Sequence, residues 1–287
     1  STRPTMTTTR NPDQRSILIT GCSSGIGLAS ARLLHARGWR VLATARRPED
    51  LAMLGREGLE AFPLELMDSD SVAACAAAAL ERTDGKLYAL FNNAAFGQPG
   101  AVEDLTLDVL KAQFEVNLFS WHDLTRRILP SMRGNGEGRI VQCSSILGFI
   151  SPPWRGAYNA SKHALEALTD AMRHELKIVS PGIRVSIIEP GPIDTRFLEH
   201  AIDALKRNVT IAGSAYQKEY EARLAGMRAG GKQTWKLPPE AVAEKLRHAV
   251  ESRNPKLRYY VTVPTYFAAA GKRLLPRRLS DALIARS

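Results

Sequence analysis

The sequence predicts an α/β fold, a single-domain Rossmann-like doubly wound parallel sheet of about seven strands with helices on both faces. Three observations predict it. Short apolar runs alternate with helical stretches along most of the 287 residues. A glycine-rich turn follows the first apolar run at once, which is the strand–turn–helix context a phosphate-cradling loop requires. No internal repeat or linker divides the chain, and its 44% hydrophobic content is enough for one large core.

The elements follow in order. Residues 16–20 (SILIT) read as a first strand, and 21–27 (GCSSGIG) as the turn. Gly21, Gly25 and Gly27 permit a tight turn and let backbone N–H groups approach a pyrophosphate. A helix is expected at 28–37, ending at Gly38. The second strand, 40–45 (RVLATA), ends in Arg46 and Arg47. In a nucleotide-binding βαβ unit this strand tip meets the adenosine ribose, where an acid suits the 2′-hydroxyl of NAD and an arginine suits a 2′-phosphate. No acid stands there before Glu49, so NADP is expected over NAD, with Arg46 as the contact; the alternative is that both arginines are exposed loop charges.

A third strand is expected at 61–66 and an alanine-rich helix at 69–82, capped by Asp68 or Ser69. The fourth strand, 87–91, runs into Asn92, Asn93, Ala94 and Ala95. Residues 106–129 read as one long helix with Asn117 inside it. Asparagine is a poor helix-interior residue, so Asn117 marks either a buried kink holding a water or ligand, or a tolerated exposed amide. Strand five (139–143) leads into Ser144 and Ser145, helix 157–179 carries Tyr158 and Lys162, and strand six (183–188) leads into the turn EPGPIDT, 189–195. A charged helical insert at about 196–236 breaks the rhythm and reads as a substrate lid. Helix 239–252, a seventh strand at 258–263 and a basic extension at 264–287 complete a single domain spanning 12–287; residues 1–11 are expected to be a tag remnant or disordered terminus.

Tyr158 and Lys162 are four residues apart, so on a helix they share a face. An ammonium beside a phenol favours the phenolate and makes the phenol a better proton relay. Ser145, from a separate strand end, could complete a proton-transfer site around a carbonyl or alcohol. The glycine loop, Asn92, Ser145 and the 190–195 turn all fall at predicted carboxyl ends of strands, where ligands bind in such sheets. Phe96, Phe149, Trp154 and Phe197 are candidate pocket residues for an apolar ligand with one polar handle, with core packing as the alternative.

Composition narrows the classes. Three unpaired cysteines argue against a disulfide framework or metal site and for a reducing cytoplasm. No apolar run approaches the roughly 18–20 residues of a membrane span. The net charge of +10 is uneven: from residue 253 onward there are eight Lys or Arg and one Asp. That tail reads first as a solvated or packed cationic surface and second as a membrane-surface contact. No nucleic-acid motif accompanies it.

From about residue 16 to residue 263 the chain resembles the short-chain dehydrogenase/reductase family. The matching pieces are Thr20-Gly-x-x-x-Gly-Ile-Gly27, Asn92-Asn-Ala-Ala95, Asn117, Ser145, Tyr158-x-x-x-Lys162 and Pro190-Gly191, in family order. The tail looks like the hydroxysteroid- and retinol-dehydrogenase-like branch. The resemblance implies an NADP-dependent oxidoreductase of the EC 1.1.1 type that interconverts a lipophilic ketone or aldehyde and its alcohol. It implies Tyr158 as proton donor or acceptor, with Lys162 holding the nicotinamide ribose and lowering the phenol pKa. Ser145 would bind the substrate oxygen, and Asn117 would hold a water. The implied cofactor contacts are Gly21, Ser23, Ser24, Gly25, Ile26 and Gly27 around the phosphates, and Arg46, Glu65, Leu66, Asn92 and Ala94 on the adenosine side. Tyr158, Lys162, Pro190, Gly191, Ile193 and Thr195 would surround the nicotinamide half. Two departures stand out: Ala95 replaces a usual glycine, and Glu65 replaces a usual aspartate near the adenine. A homodimer or homotetramer is expected through the helices at 106–129 and 157–179. A non-catalytic NADP-binding regulator or a membrane-surface protein on the same fold is the alternative.

Overall fold

The computed structural model describes residues 14–228 and 235–284. The expected terminus at 1–11, part of the lid (229–234) and residues 285–287 lie outside the described residues.

Seven strands form one sheet: β1 (Ser16–Ile19), β2 (Arg40–Ala45), β3 (Glu60–Pro63), β4 (Ala89–Asn92), β5 (Gly138–Cys143), β6 (Ile183–Glu189) and β7 (Arg258–Tyr260). Their order is β3-β2-β1-β4-β5-β6-β7, and every pairing is parallel. β1, β4 and β5 are buried along their whole length, as strands covered on both faces must be. The chain winds outward from β1 to β3, then returns to lay β4 on the other side of β1. At that reversal the connections leave in opposite directions and open a crevice at the carboxyl ends of the strands.

The helices are α1 (Gly25–Ala36), α2 (Pro48–Arg56), α3 (Ser69–Arg82), α4 (Leu107–Phe114), α5 (Ser120–Gly134), α6 (Gly156–Val179), α7 (Phe197–Asn208), α8 (Gln217–Arg228), α9 (Glu240–Glu251), α10 (Val263–Leu274) and α11 (Arg277–Ile284). α1 packs on α9, and α3 packs on α5. The core between these layers and the sheet contains Leu18, Leu42, Leu90, Phe91, Trp121 and Leu124, all fully buried. A smaller cluster of Ala101, Leu205, Val209 and Tyr220 lies under the lid helices.

Four boundaries differ from the sequence reading. α2 was not expected; Pro48 starts it, and Glu49 and Asp50 place negative charge at its positive end. β3 stops at Pro63, which has no N–H to donate, so Glu65 and Leu66 belong to the following turn. The long helix expected at 106–129 is α4 and α5 joined by a π-helical segment, Glu115–Phe119, and it continues to Gly134. β7 is only three residues long, because Pro264 sets the first turn of α10 at a position where its missing N–H costs nothing.

Candidate active site

The glycine loop is shaped by contacts that leave no room for side chains. Gly21 and Gly25 have φ of +74° and +56°, the left-handed region that favours glycine. A Cβ on Gly21 would lie 2.8 Å from the Cβ of Ala94, and one on Gly27 would run into the carbonyl of Gly21. The loop is hung from β2 by hydrogen bonds from the Gly21 N–H to Thr44 Oγ1 (3.1 Å) and from the Cys22 N–H to the Thr44 carbonyl (2.7 Å). Ser24 begins α1 with extended backbone and no side-chain cap. The first N–H groups of α1 are therefore left for a ligand. A cavity of about 420 Å³ opens there, lined by Ser24, Gly25, Leu28 and Arg32 on one side and Asp194, Thr195 and Arg196 on the other. Left-handed glycines, an uncapped helix start and this cavity fit a dinucleotide pyrophosphate.

Asn93, which the sequence reading passed over, ties this loop to β4. Its Nδ2 donates to the Thr20 carbonyl (3.0 Å), and the Thr20 hydroxyl accepts from the N–H groups of Asn93 (2.8 Å) and Ala94 (2.9 Å). Of the two roles the resemblance implies for Asn92, a contact to the adenosine-side ribose and support of the sheet, the side chain takes the second. Its side chain is wholly buried and donates to Thr125 Oγ1 on α5 (3.0 Å), so it serves the sheet. The strict alternation of strand side chains sends neighbouring asparagines to opposite faces, and sequence order alone does not say which one faces the loop. Leu66 likewise buries its side chain in the core. Ile26, Ala94 and Ile193 are half-buried and pack against that core.

Arg46 stands exposed just past β2, with its guanidinium 3.8 Å from the Glu65 carboxylate. Glu65 also accepts from the Met67 N–H (3.1 Å), while its own N–H donates to Ser71 Oγ (2.9 Å). The carboxylate therefore orders the turn after β3 and holds Arg46 at the same edge of the sheet.

The proton-handling groups meet one strand further along. Lys162 is buried, and its Nζ donates to the Cys143 carbonyl at the end of β5 (2.8 Å) and lies 4.3 Å from the Trp121 ring centroid. Burial brings its pKa down to about 8. Tyr158, one turn earlier, is pushed up by burial, against which a hydrogen bond with Ser145 pulls down. Desolvation is the largest influence on Tyr158, and the phenol keeps its proton at neutral pH; the lowering by Lys162 that the resemblance implies is not among the influences that set it here. Ser145 also accepts from the Leu147 N–H (3.1 Å), which fixes its side chain at the head of the 3₁₀ turn Ile146–Gly148.

Asn117 is fully buried within the π-helical segment. Its Oδ1 accepts from the Phe96 N–H (3.2 Å), and its Nδ2 donates to the Phe96 carbonyl (3.0 Å) and to Ser161 Oγ (3.3 Å). Ser161 in turn donates to the Tyr158 carbonyl (2.8 Å). The buried-kink reading of Asn117 is the one the fold adopts, and its amide joins the loop after β4 to α6.

The turn after β6 closes the site. The Ile146 N–H donates to the Pro190 carbonyl (2.8 Å), so the Ser145 loop and this turn move together. Gly191 sits against the hydroxyls of Thr262 and Thr265. The Asp194 N–H donates to the Leu237 carbonyl (2.8 Å), and a Cβ on Gly25 would lie 3.0 Å from the Thr195 methyl. Phe197 meets the Tyr158 ring edge-on, with centroids 5.5 Å apart. Gly97 makes that meeting possible, since a Cβ there would lie 2.8 Å from the Phe197 ring. Nothing in the sequence singled out Gly97.

Of the four aromatic pocket candidates, Phe197 alone is placed against Tyr158. Trp154, with φ of +69°, packs on Tyr216 and Tyr220 at 5.4 and 5.5 Å and so belongs to the lid cluster. Phe149 packs on Tyr260 (6.1 Å), and Phe96 is held by its backbone at Asn117. α7 and α8 are tied to the loop after β4: Tyr220 donates to Asp104 Oδ2 (2.9 Å) and accepts from the Ala101 N–H (2.7 Å), and Asn208 donates to Gln98 Oε1 (2.8 Å).

A parallel doubly wound sheet, a glycine-lined cradle at its switch point and a half-buried tyrosine beside a buried lysine at its carboxyl edge define a dinucleotide-dependent oxidoreductase. Residues 15–206 match the family described as short chain dehydrogenase, and the chain belongs to that family. It is 44% identical over 271 residues to the uncharacterized oxidoreductase YbbO of Escherichia coli strain K12, covering 94% of each chain. It is 32% identical over 278 residues to an NADPH-dependent 3-dehydrocapnine reductase of Ornithobacterium rhinotracheale, covering 93% of this chain and 95% of that one. Among solved structures, a short-chain dehydrogenase from Streptomyces avermitilis superposes with a TM-score of 0.75 at 31% identity, covering 90% of this chain and 92% of that one.

Proposed function

We propose that this protein is an NADP(H)-dependent oxidoreductase that interconverts a lipophilic ketone or aldehyde and its alcohol, with Tyr158 as the proton donor in reduction. The observation that carries the reading is the half-buried Tyr158, which keeps its proton and feels the Ser145 hydroxyl, one turn from the buried ammonium of Lys162. The nicotinamide, when bound, supplies the hydride. Tyr158 holds the proton that the developing alkoxide takes up. Ser145 would orient the carbonyl oxygen toward it, and Lys162 would hold the nicotinamide ribose. Asn117 holds α6 in place through Ser161. Arg46 supports a 2′-phosphate, as does the similarity to a relative described as NADPH-dependent. The Phe197 ring against Tyr158 favours an apolar substrate body.

The test is Tyr158→Phe assayed with NADPH and a panel of steroid, retinoid, fatty-aldehyde and quinone carbonyls. NADPH binding should persist, while kcat on the best substrate falls by at least about 100-fold. Turnover like that of the unaltered enzyme would reject Tyr158 as the donor.

A further inference from the structure

We propose that the outward face of α10 and α11 docks on an anionic lipid surface, holding the mouth of the site against the membrane. α10 buries only one side of itself, at Thr265 and Ala269. Its other side carries Tyr266, Phe267 and Leu274, which are 53%, 74% and 81% exposed. With Val263 and Ala270 these residues fall at successive turns of one helical stripe. Over its twelve residues α10 extends about 18 Å. Leu279 and Leu283, one turn apart on α11, continue the exposed apolar surface.

The charges beside this stripe choose its occupant. Between 263 and 284 the sequence carries four Lys or Arg and one Asp. Arg273, which flanks the stripe on α10, and Arg278 on α11 are exposed and form no ion pair among the described residues, whereas Lys272 lies on the opposite side of the helix. A second copy packed here about a two-fold axis would bring the same cations face to face in a drying interface. An anionic bilayer satisfies both features at once, with the aromatic and aliphatic side chains at the acyl boundary and the cations at the phosphates. No helix among the described residues is long and apolar enough to cross a membrane, so the contact is one of lying on the surface.

The stripe is fastened close to the chemistry. Thr262 and Thr265, at the base of α10, press on Gly191 in the turn after β6. Tyr266 stacks edge-on against Tyr260 (5.3 Å) and Tyr260 against Phe149 (6.1 Å), four residues beyond Ser145. A line of aromatic rings therefore leads from the exposed stripe to the Ser145 loop. Delivery of a lipophilic substrate along it rests on the function proposed above; the docking itself does not.

The experiment is co-sedimentation of the intact protein with vesicles of phosphatidylcholine alone, or of phosphatidylcholine with about 30% phosphatidylserine. We expect binding to the anionic vesicles at about 0.1 M salt, at least about tenfold weaker binding to the neutral ones, and release as salt rises. Phe267→Ser with Leu274→Ser, and separately Arg273→Glu with Arg278→Glu, should each lower binding at least about tenfold while NADPH binding is unchanged. No binding by the intact protein, equal binding to both vesicles, or variants that bind as well as the parent would overturn the proposal. So would a dimer in solution that the Phe267→Ser, Leu274→Ser variant splits, because a second copy would then cover the face. Failure of every carbonyl substrate would count against the proposed function and leave the vesicle result standing.

Discussion

At Tyr158 and Lys162, burial sets the protonation states. The phenol is pushed up and stays protonated, whereas the Lys162 ammonium is brought down to about 8. The working pair is therefore a protonated phenol with a charged lysine, and raising the pH removes the lysine proton first. We expect kcat/KM for carbonyl reduction to fall as pH rises through about 8, and a pH–rate profile of Lys162→Arg to lose that limb, because a guanidinium does not titrate there. A profile that stays flat to pH 9.5 or beyond, roughly a unit and a half past the lysine, would sink the assignment. Arg46 answers a separate question. Arg46→Asp should raise the dissociation constant for NADPH at least about tenfold and leave that for NADH within about twofold, measured by cofactor fluorescence titration. Tyr158, Lys162, Ser145 and Asn117 were all legible as residues, because spacing along one helix and position after a strand are local properties. The neighbours that tune them were not. Asn93 and Asn92 are chemically identical, and Gly97 has no signal beyond the ring contact it permits.

Among the elements, the π-helical segment and the lid show how a local irregularity is put to use. Asn117 competes poorly for helix and would be costly in a regular one; the widened turn Glu115–Phe119 lets its amide bond the Phe96 backbone instead. The long-helix reading missed the widening because apolar periodicity drifts only slightly across one inserted residue. The lid helices α7 and α8 hang on few polar contacts, of which the Tyr220 phenol makes two. Tyr220→Phe leaves the Ala101 N–H and the Asp104 carboxylate each one partner short, a cost of about 1–3 kcal/mol. We expect faster amide exchange in α8 and in 101–104, with exchange in the sheet unchanged. Uniform loosening of lid and sheet together would show that these contacts are part of the global fold. α2 escaped the sequence reading because nine residues with three charges look like a loop until Pro48 is seen as a first-turn residue.

Across the whole molecule, one half-buried cation ties the end of the chain to its middle. Arg258 on β7 pairs with Glu166 and Asp170 on α6 and with Glu189 at the end of β6 (2.7 Å). Glu189 is fully buried, and burial followed by the neighbouring Glu166 raises its pKa from 4.5 to about 7. A carboxyl that is raised on folding favours the folded state below its ordinary pKa, and that contribution is lost as pH rises through about 7. Removing the guanidinium sharpens the effect, because the carboxylates then have no counter-charge. Arg258→Leu should cost about 3–5 kcal/mol in denaturant unfolding at pH 8, and markedly less at pH 5, where Glu189 is protonated in the fold. Equal losses at the two pH values would mean that Arg258 acts through packing alone. The sequence by itself determined the parallel sheet, the glycine turn and the tyrosine–lysine helix, because alternation, periodicity and short spacings are written along the chain. Only the tertiary structure decided that burial keeps the Tyr158 proton, that Trp154 packs on Tyr216 and Tyr220, and that Arg258 pairs with Glu189. Each of those depends on exclusion of water by residues far apart in sequence, a quantity that exists only once the sheet has closed around them.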